Sequence, residues 1–225
     1  MKRVLAVCVL ALVTLLGVAS VNASTVAYAD PANQGVGFGF PGNLGLNFNV
    51  LSPITVTDLG VFNAVGDGVI NGSISVVIYN TLSLAQVTPV VTFHGTYTPA
   101  GLGFDVFQAI APVTLGAGSY QVVAVGFSAT DFFGNIYYGS TGPVLNNGGG
   151  LLSFNGANWD YNTTLDSPVG CVSCVVMPAQ SSQFDAGTFQ FTPANSAPVP
   201  EPGALGLLGT SVIAAATMLR RKFGR

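Results

Sequence analysis

Between Ser24 and Pro200 the chain has no lysine and no arginine; its six basic residues are Lys2, Arg3, Arg220, Arg221, Lys222 and Arg225. The same interval holds eight Asp (Asp30, Asp58, Asp67, Asp105, Asp131, Asp160, Asp166 and Asp185) and no Glu, for a formal charge of −8. Such a body repels phosphate backbones, which excludes nucleic-acid binding and any nucleotide chemistry built on Lys or Arg. Internal salt bridges to Lys or Arg are excluded too. Each Asp must therefore be solvated, bonded to backbone groups or neutralised by an external ion. Charge is scarce altogether, at 7% of 225 residues, against roughly 25% in ordinary soluble domains. With 49% hydrophobic residues, the chain has apolar surface to bury and little self-repulsion, so disorder driven by charge is excluded. The 29 glycines show no three-residue period, which excludes collagen.

Histidine and cysteine are also rare, and this limits catalysis. His94 is the sole histidine, and the cysteines are Cys8, Cys171 and Cys174. A Ser-His-Asp device would have to use His94, which sits in Thr92-Phe-His-Gly-Thr96 without a serine elbow; a solvated histidine near a strand end is the ordinary reading. A tetrahedral zinc site would have at most three Cys/His candidates outside the leader. Paired Asp could hydrolyse glycosides if one were kept protonated near neutral pH, but eight Asp make chance pairs common. The expectation is a protein that is not an enzyme.

The two ends read as addresses. Residues 1–23 have the form of a secretory signal peptide: Lys2-Arg3, an apolar run from Val4 to Val18, and small side chains before a cut after Ala23. The run is shorter than the roughly 20 residues that a membrane span prefers, so Sec-dependent export and removal are expected, with Cys8 discarded. At the other end, Gly203 to Leu219 is 17 residues without a charge, enough to just span the hydrocarbon core as a transmembrane helix, with residues 220–225 as a basic cytoplasmic tail.

Val199-Pro200-Glu201-Pro202, the apolar segment and then Arg220-Arg221 together resemble the PEP-CTERM sorting signal of Gram-negative bacteria. The resemblance implies processing by exosortase, a membrane transpeptidase-like enzyme, in a bacterium that makes extracellular polysaccharide. It implies that Val199, Pro200, Glu201 and Pro202 are the recognition motif and that Arg220 and Arg221 are stop-transfer charges. All are substrate residues for another enzyme. The two prolines keep the strip extended, which suits entry into a processing site. The alternative is a permanent single-span anchor.

The body, residues 24–192, reads as one all-β domain, followed by a Pro-rich stalk over 193–202. Runs rich in Val, Ile, Thr, Phe and Tyr recur between Gly, Asn, Asp and Pro clusters, the pattern of short strands joined by turns. Strands are expected near 46–51, 54–63, 73–79, 89–93, 104–109, 119–128, 135–138, 150–154 and 187–192. Leu46, Phe48 and Val50 alternate with Asn47 and Asn49, as half-buried strands do, whereas Tyr120 to Phe127 is apolar on both faces and fits a central strand. Asp67-Gly68 and Asn71-Gly72 read as tight turns. A single β-sandwich of jelly-roll kind follows. Residues 44–127 also resemble small β-sandwich modules of exported bacterial proteins, a likeness that implies fold and not activity.

Four features of the body carry candidate chemistry. Gly37-Phe-Gly39-Phe-Pro-Gly42 satisfies G-x-G-x-x-G, but Pro41 and the missing βαβ unit make it a glycine-rich loop. Cys171 and Cys174 are placed to close a small disulfide in an oxidising compartment. Calcium is the external ion whose ligand preference fits the Asp set, although no D-x-[DN]-x-[DN]-G loop is present. Trp159 and Tyr161, among Asn and Asp side chains, form the candidate glycan contact, with an aromatic ring as platform and polar groups for the hydroxyls; the ordinary account is a Trp closing the sandwich end. The expected role is a surface or extracellular-matrix protein, structural or adhesive in an exopolysaccharide layer such as a biofilm. A carbohydrate-binding module is the first alternative and a glycosidase the second.

Overall fold

The computed structural model describes residues 23–30, 37, 39–99, 104–135, 142–169, 175–177 and 184–194. The signal peptide, the cysteine pair, the sorting motif and the apolar segment after it lie outside these residues. Among the described residues there is no helix, so none is long and apolar enough to cross a membrane. The strands are β1 (Thr25–Val26), β2 (Tyr28–Ala29), β3 (Asn43–Val50), β4 (Ile54–Phe62), β5 (Val69–Asn80), β6 (Val91–Thr96) and β7 (Asp105–Leu115), followed by β8 (Gly118–Val125), β9 (Gly134–Asn135), β10 (Val144–Leu145), β11 (Leu152–Trp159), β12 (Val175–Met177), β13 (Phe184–Asp185) and β14 (Gly187–Pro193). All lie in the compact unit Ser24–Asn195.

A six-stranded sheet runs β12-β11-β3-β8-β5-β6 and a four-stranded sheet runs β1-β14-β4-β7; two ribbons pair β10 with β2 and β13 with β9. Every pairing is antiparallel. The described residues are all-β, as the turn-punctuated apolar runs of the body require. Both larger sheets feed one apolar cluster: Leu44, Leu46, Phe48, Val50, Val76, Ile78, Val122 and Ala124 from the first, and Ile54, Val56, Leu59, Val61, Val106, Phe189 and Phe191 from the second. At its centre Phe48 stacks on Tyr120 with ring centroids 5.8 Å apart and meets Phe189 at 4.8 Å.

The expected centrality of the 119–128 segment holds for a specific reason. β8 lies between β3 and β5, with Tyr120, Val122 and Ala124 turned to the main core. Its other face is covered as well: Val123 joins Val77 and Tyr79 in a second cluster beneath Leu165, and the Tyr79 hydroxyl donates to the Leu165 carbonyl at 3.2 Å. The segment after β11 therefore lies on the outward face of the six-stranded sheet.

Three expectations are corrected. Asn71-Gly72 is not a turn; it lies inside β5, where the pairing with β6 shifts register between Ile70 and Ile74. A bulge needs the same permissive residues as a turn, which explains the misreading. Asp67-Gly68 does lie in a turn, with Gly66 and Gly68 at positive φ. The strand expected to end at Ala109 continues to Leu115 through Pro112, because β7 is a sheet edge and its register shift against β4 absorbs the missing N–H. The strand expected over 150–154 is instead Leu152–Trp159: Gly156, at φ 88°, lets it bulge between Phe154 and Ala157 and resume pairing with β3.

Replacing Phe48 by Ala removes the ring that bridges Tyr120 and Phe189. A loss of about 3–5 kcal/mol, read as a lower urea midpoint with unchanged slope, is the expected outcome.

Candidate functional site

The glycine-rich loop is a packing device. A Cβ on Gly39 would lie 2.3 Å from the backbone carbon of Ser128, and one on Gly42 would lie 2.0 Å from the Asp160 carbonyl oxygen. These glycines let backbone meet backbone, so the G-x-G-x-x-G pattern is met without a nucleotide fold. The tight approach at Gly42 brings Phe40 against Trp159 and Tyr161, with centroids 5.5 Å apart in both cases. Trp159 and Tyr161 meet edge to face at 5.1 Å. The structure thus brings the two expected glycan residues together, but unequally. Trp159 is half-buried and packs on the main core, whereas Tyr161 is 73% exposed. Trp159 closes the core edge, and only Tyr161 presents most of its ring to solvent.

Beside them sits a polar knot that sequence reasoning missed. Asn43, fully buried, points its Nδ2 at four oxygens: Asp160 Oδ1 at 3.1 Å, the carbonyls of Asn162 at 3.0 Å and Thr164 at 2.9 Å, and Asp166 Oδ1 at 2.8 Å. Its Oδ1 accepts from the Asp166 N–H at 3.2 Å. One amide with two hydrogens thus serves alternate residues of the 160–166 loop. Burial raises the Asp166 carboxyl, the hydrogen bond from Asn162 lowers it and the neighbouring Asp160 raises it, for a net rise. The signal was present in the alternation Asp160, Asn162, Thr164, Asp166, but its partner lies more than a hundred residues away.

The outward face of β3 extends this polar chemistry. The Ser167 hydroxyl donates to Gln121 Oε1 at 2.8 Å, Gln121 Nε2 donates to Asn47 Oδ1 at 2.8 Å, and Asn47 Nδ2 donates to Asn158 Oδ1. The direction of donation is uniform, so each amide polarises the next. Alongside, the Ser119 hydroxyl donates to Asn49 Oδ1 at 2.8 Å. A groove of about 230 Å³ opens here, lined by the polar residues Asn47, Asn49, Thr81, Ser119, Asn155 and Asn158 together with Phe48, Tyr120 and Val169.

The remaining carboxylates divide sharply. Asp131 accepts the N–H groups of Asn71 and Gly72, both at 2.7 Å, and the Thr130 hydroxyl at 3.0 Å. Burial alone would raise its pKa, but these donors outweigh it and hold the carboxyl below its ordinary value. Asp105, Asp30 and Asp185 are all buried. Asp105 accepts the Asp30 N–H at 3.2 Å, yet burial first, and then the charges of Asp185 and Asp30, push its carboxyl well above the usual range. Among the described residues no group of three or more His, Cys, Asp or Glu is arranged to hold a metal. His94 is exposed on β6 and its Nδ1 lies 2.6 Å from the Gly72 carbonyl.

The class defined so far is a β-domain whose acidic groups are met by its own amides. Its address comes from the comparisons: residues 198–222 match the PEP-CTERM protein-sorting motif, and the span includes Val199, Pro200, Glu201, Pro202, Arg220 and Arg221. The chain carries that motif, which implies processing by exosortase and sorting of an exported protein to the cell surface. No curated protein matches the chain.

Two pH-dependent outcomes follow. For Asp131 the folded pKa lies below the unfolded one, so its contribution is present at neutral pH and is lost as pH falls through the folded value. Asp131→Ala should cost about 1–3 kcal/mol at pH 7 and less at strongly acid pH, measured by urea denaturation at both. For Asp105 the sign is opposite: the folded state retains a proton that the unfolded chain releases, so stability falls as pH rises through that window. Asp105→Asn keeps an oxygen for the Asp30 N–H and removes the ionisation cost. Its Tm should exceed wild type at pH 8 by roughly 2–4 °C for each kcal/mol recovered, with the difference vanishing near pH 3.

Proposed function

We propose that this protein is an exported, exosortase-processed component of the cell surface or extracellular matrix, with a non-enzymatic structural or adhesive role in a polysaccharide layer. The PEP-CTERM match over 198–222 carries this reading. In it, the signal peptide of residues 1–23 directs the chain to Sec, Gly203 to Leu219 inserts as a transmembrane helix, and exosortase acts near Val199 to Pro202. The body is a single β-sandwich of jelly-roll kind, supported by two sheets that feed one apolar cluster. Cys171 and Cys174 are oxidised to a disulfide after export.

A second reading, a carbohydrate-binding module, is favoured by the amide-rich outward face and by the exposed Tyr161 ring near Asp160 and Asn162. A glycosidase has less support: Asp105, whose carboxyl burial holds well above the usual range, is buried with Asp30 and Asp185 and does not face an open cleft. Calcium has no stronger place, since the Asp160–Asp166 oxygens already converge on the Asn43 amide.

Cell fractionation with intact-mass measurement tests the main reading. The expected mature chain begins at Ser24, has lost its tail at or near Val199 to Pro202, and is found outside the inner membrane. A membrane-bound species still ending at Arg225 in cells with active exosortase would overturn it in favour of a permanent anchor.

A further inference from the structure

We infer that the amide-lined groove on the outward face of the six-stranded sheet binds an uncharged polysaccharide chain. This deepens the carbohydrate-binding reading and rests on it, but it moves the contact away from Trp159 and Tyr161. Side chains alternate along β11, so Asn158 faces the groove while Trp159 turns to the core side.

The lining selects the ligand class. Asn47, Asn49, Asn155 and Asn158 supply amides, Thr81 and Ser119 supply hydroxyls, and Phe48, Tyr120 and Val169 supply apolar surface of the kind that meets the C–H face of a sugar ring; among the described residues no Asp, Glu, His, Lys or Arg lines the groove. Every one of these amides and hydroxyls can both donate and accept, as sugar hydroxyls do. An apolar peptide would strand them unbonded at a cost per group. The relay from Ser167 through Gln121 and Asn47 ends at Asn158 Oδ1, and among the described residues the Nδ2 groups of Asn49, Asn155 and Asn158 donate no hydrogen bond. The internal bonds thus fix Asn47, Asn49 and Asn158 in orientation while leaving donors of Asn49 and Asn158 for a ligand, which is preorganisation for a hydroxylated chain.

Charge narrows the class further. Uronate, sulfate or phosphate groups call for Arg or Lys, and the body between Ser24 and Pro200 has neither. An acidic polymer would meet a body of its own sign, so the polymer bound is neutral.

The test is titration calorimetry of the mature protein, purified from native cells, with three neutral probes (dextran, cellohexaose and xylohexaose) and one acidic probe, oligogalacturonate. At least one neutral probe should bind, with no heat from oligogalacturonate. Asn155→Ala, an exposed position with no internal bond, and Asn49→Ala should each weaken that binding about tenfold, the equivalent of one hydrogen bond, while Tm stays within 2 °C or so of wild type. Binding that survives both Asn variants and is lost in Tyr161→Ala would overturn the groove and leave the carbohydrate-binding reading standing. Binding of the acidic probe alone, or of no neutral probe, would overturn the inference, whereas surface sorting is decided separately by the fractionation.

Discussion

A domain that buries carboxylates and has neither Lys nor Arg must find the positive partial charge for them in N–H and O–H groups. That constraint orders much of this structure. Asp131 collects the N–H groups of a strand bulge, Asp160 and Asp166 converge on the single amide of Asn43, and Asp105 holds the N–H of Asp30. Backbone and amide donors have fixed geometry and short reach, unlike the long side chain of Lys or Arg. Each carboxylate is therefore also a structural tie between distant segments: β5 to the loop after β8, and β3 to the loop after β11. Where Asp105 lies buried with Asp30 and Asp185, its carboxyl is driven upward by burial and by the charges of its two acidic neighbours.

The apolar part of the fold supports this polar framework. Alternation along β3 places Leu44, Leu46, Phe48 and Val50 in the core and leaves Asn43, Asn47 and Asn49 on the other side. Gly45, lying beneath the Gln121 side chain, keeps that outward face low enough for the amides to meet. A bulge at Gly156 resets the phase of β11 so that Ala157 faces the core and Asn158 joins the amides. One residue more or fewer in that bulge would exchange the two faces.

For function, the consequence is a body suited to neutral, hydrated surroundings and addressed to the cell surface by its PEP-CTERM motif. The outward face of β3 and β8 is amide and hydroxyl, and the ring of Tyr161 lies largely in solvent. Trp159 resembles a sugar platform when read along the chain, but it spends most of its surface on Phe40 and the core edge.

What could be read along the chain were the properties that depend on neighbours in sequence. Strand alternation at Leu46, Phe48 and Val50, the doubly apolar run at Tyr120 to Phe127, the charge pattern and the Val-Pro-Glu-Pro strip with its arginines are all local, so an all-β body and a sorting signal were legible. Asn71-Gly72 and Asn155-Gly156 were not, because turns and bulges draw on the same residues and only the partner strand distinguishes them. Nor could the amide groove or the Asn43 knot be found in advance: Asn47, Gln121, Asn158 and Ser167 meet only after antiparallel strands far apart in sequence come into register. Tertiary structure alone chose which amides became neighbours, because hydrogen bonds act over about 3 Å and the sequence separates their partners by tens to more than a hundred residues.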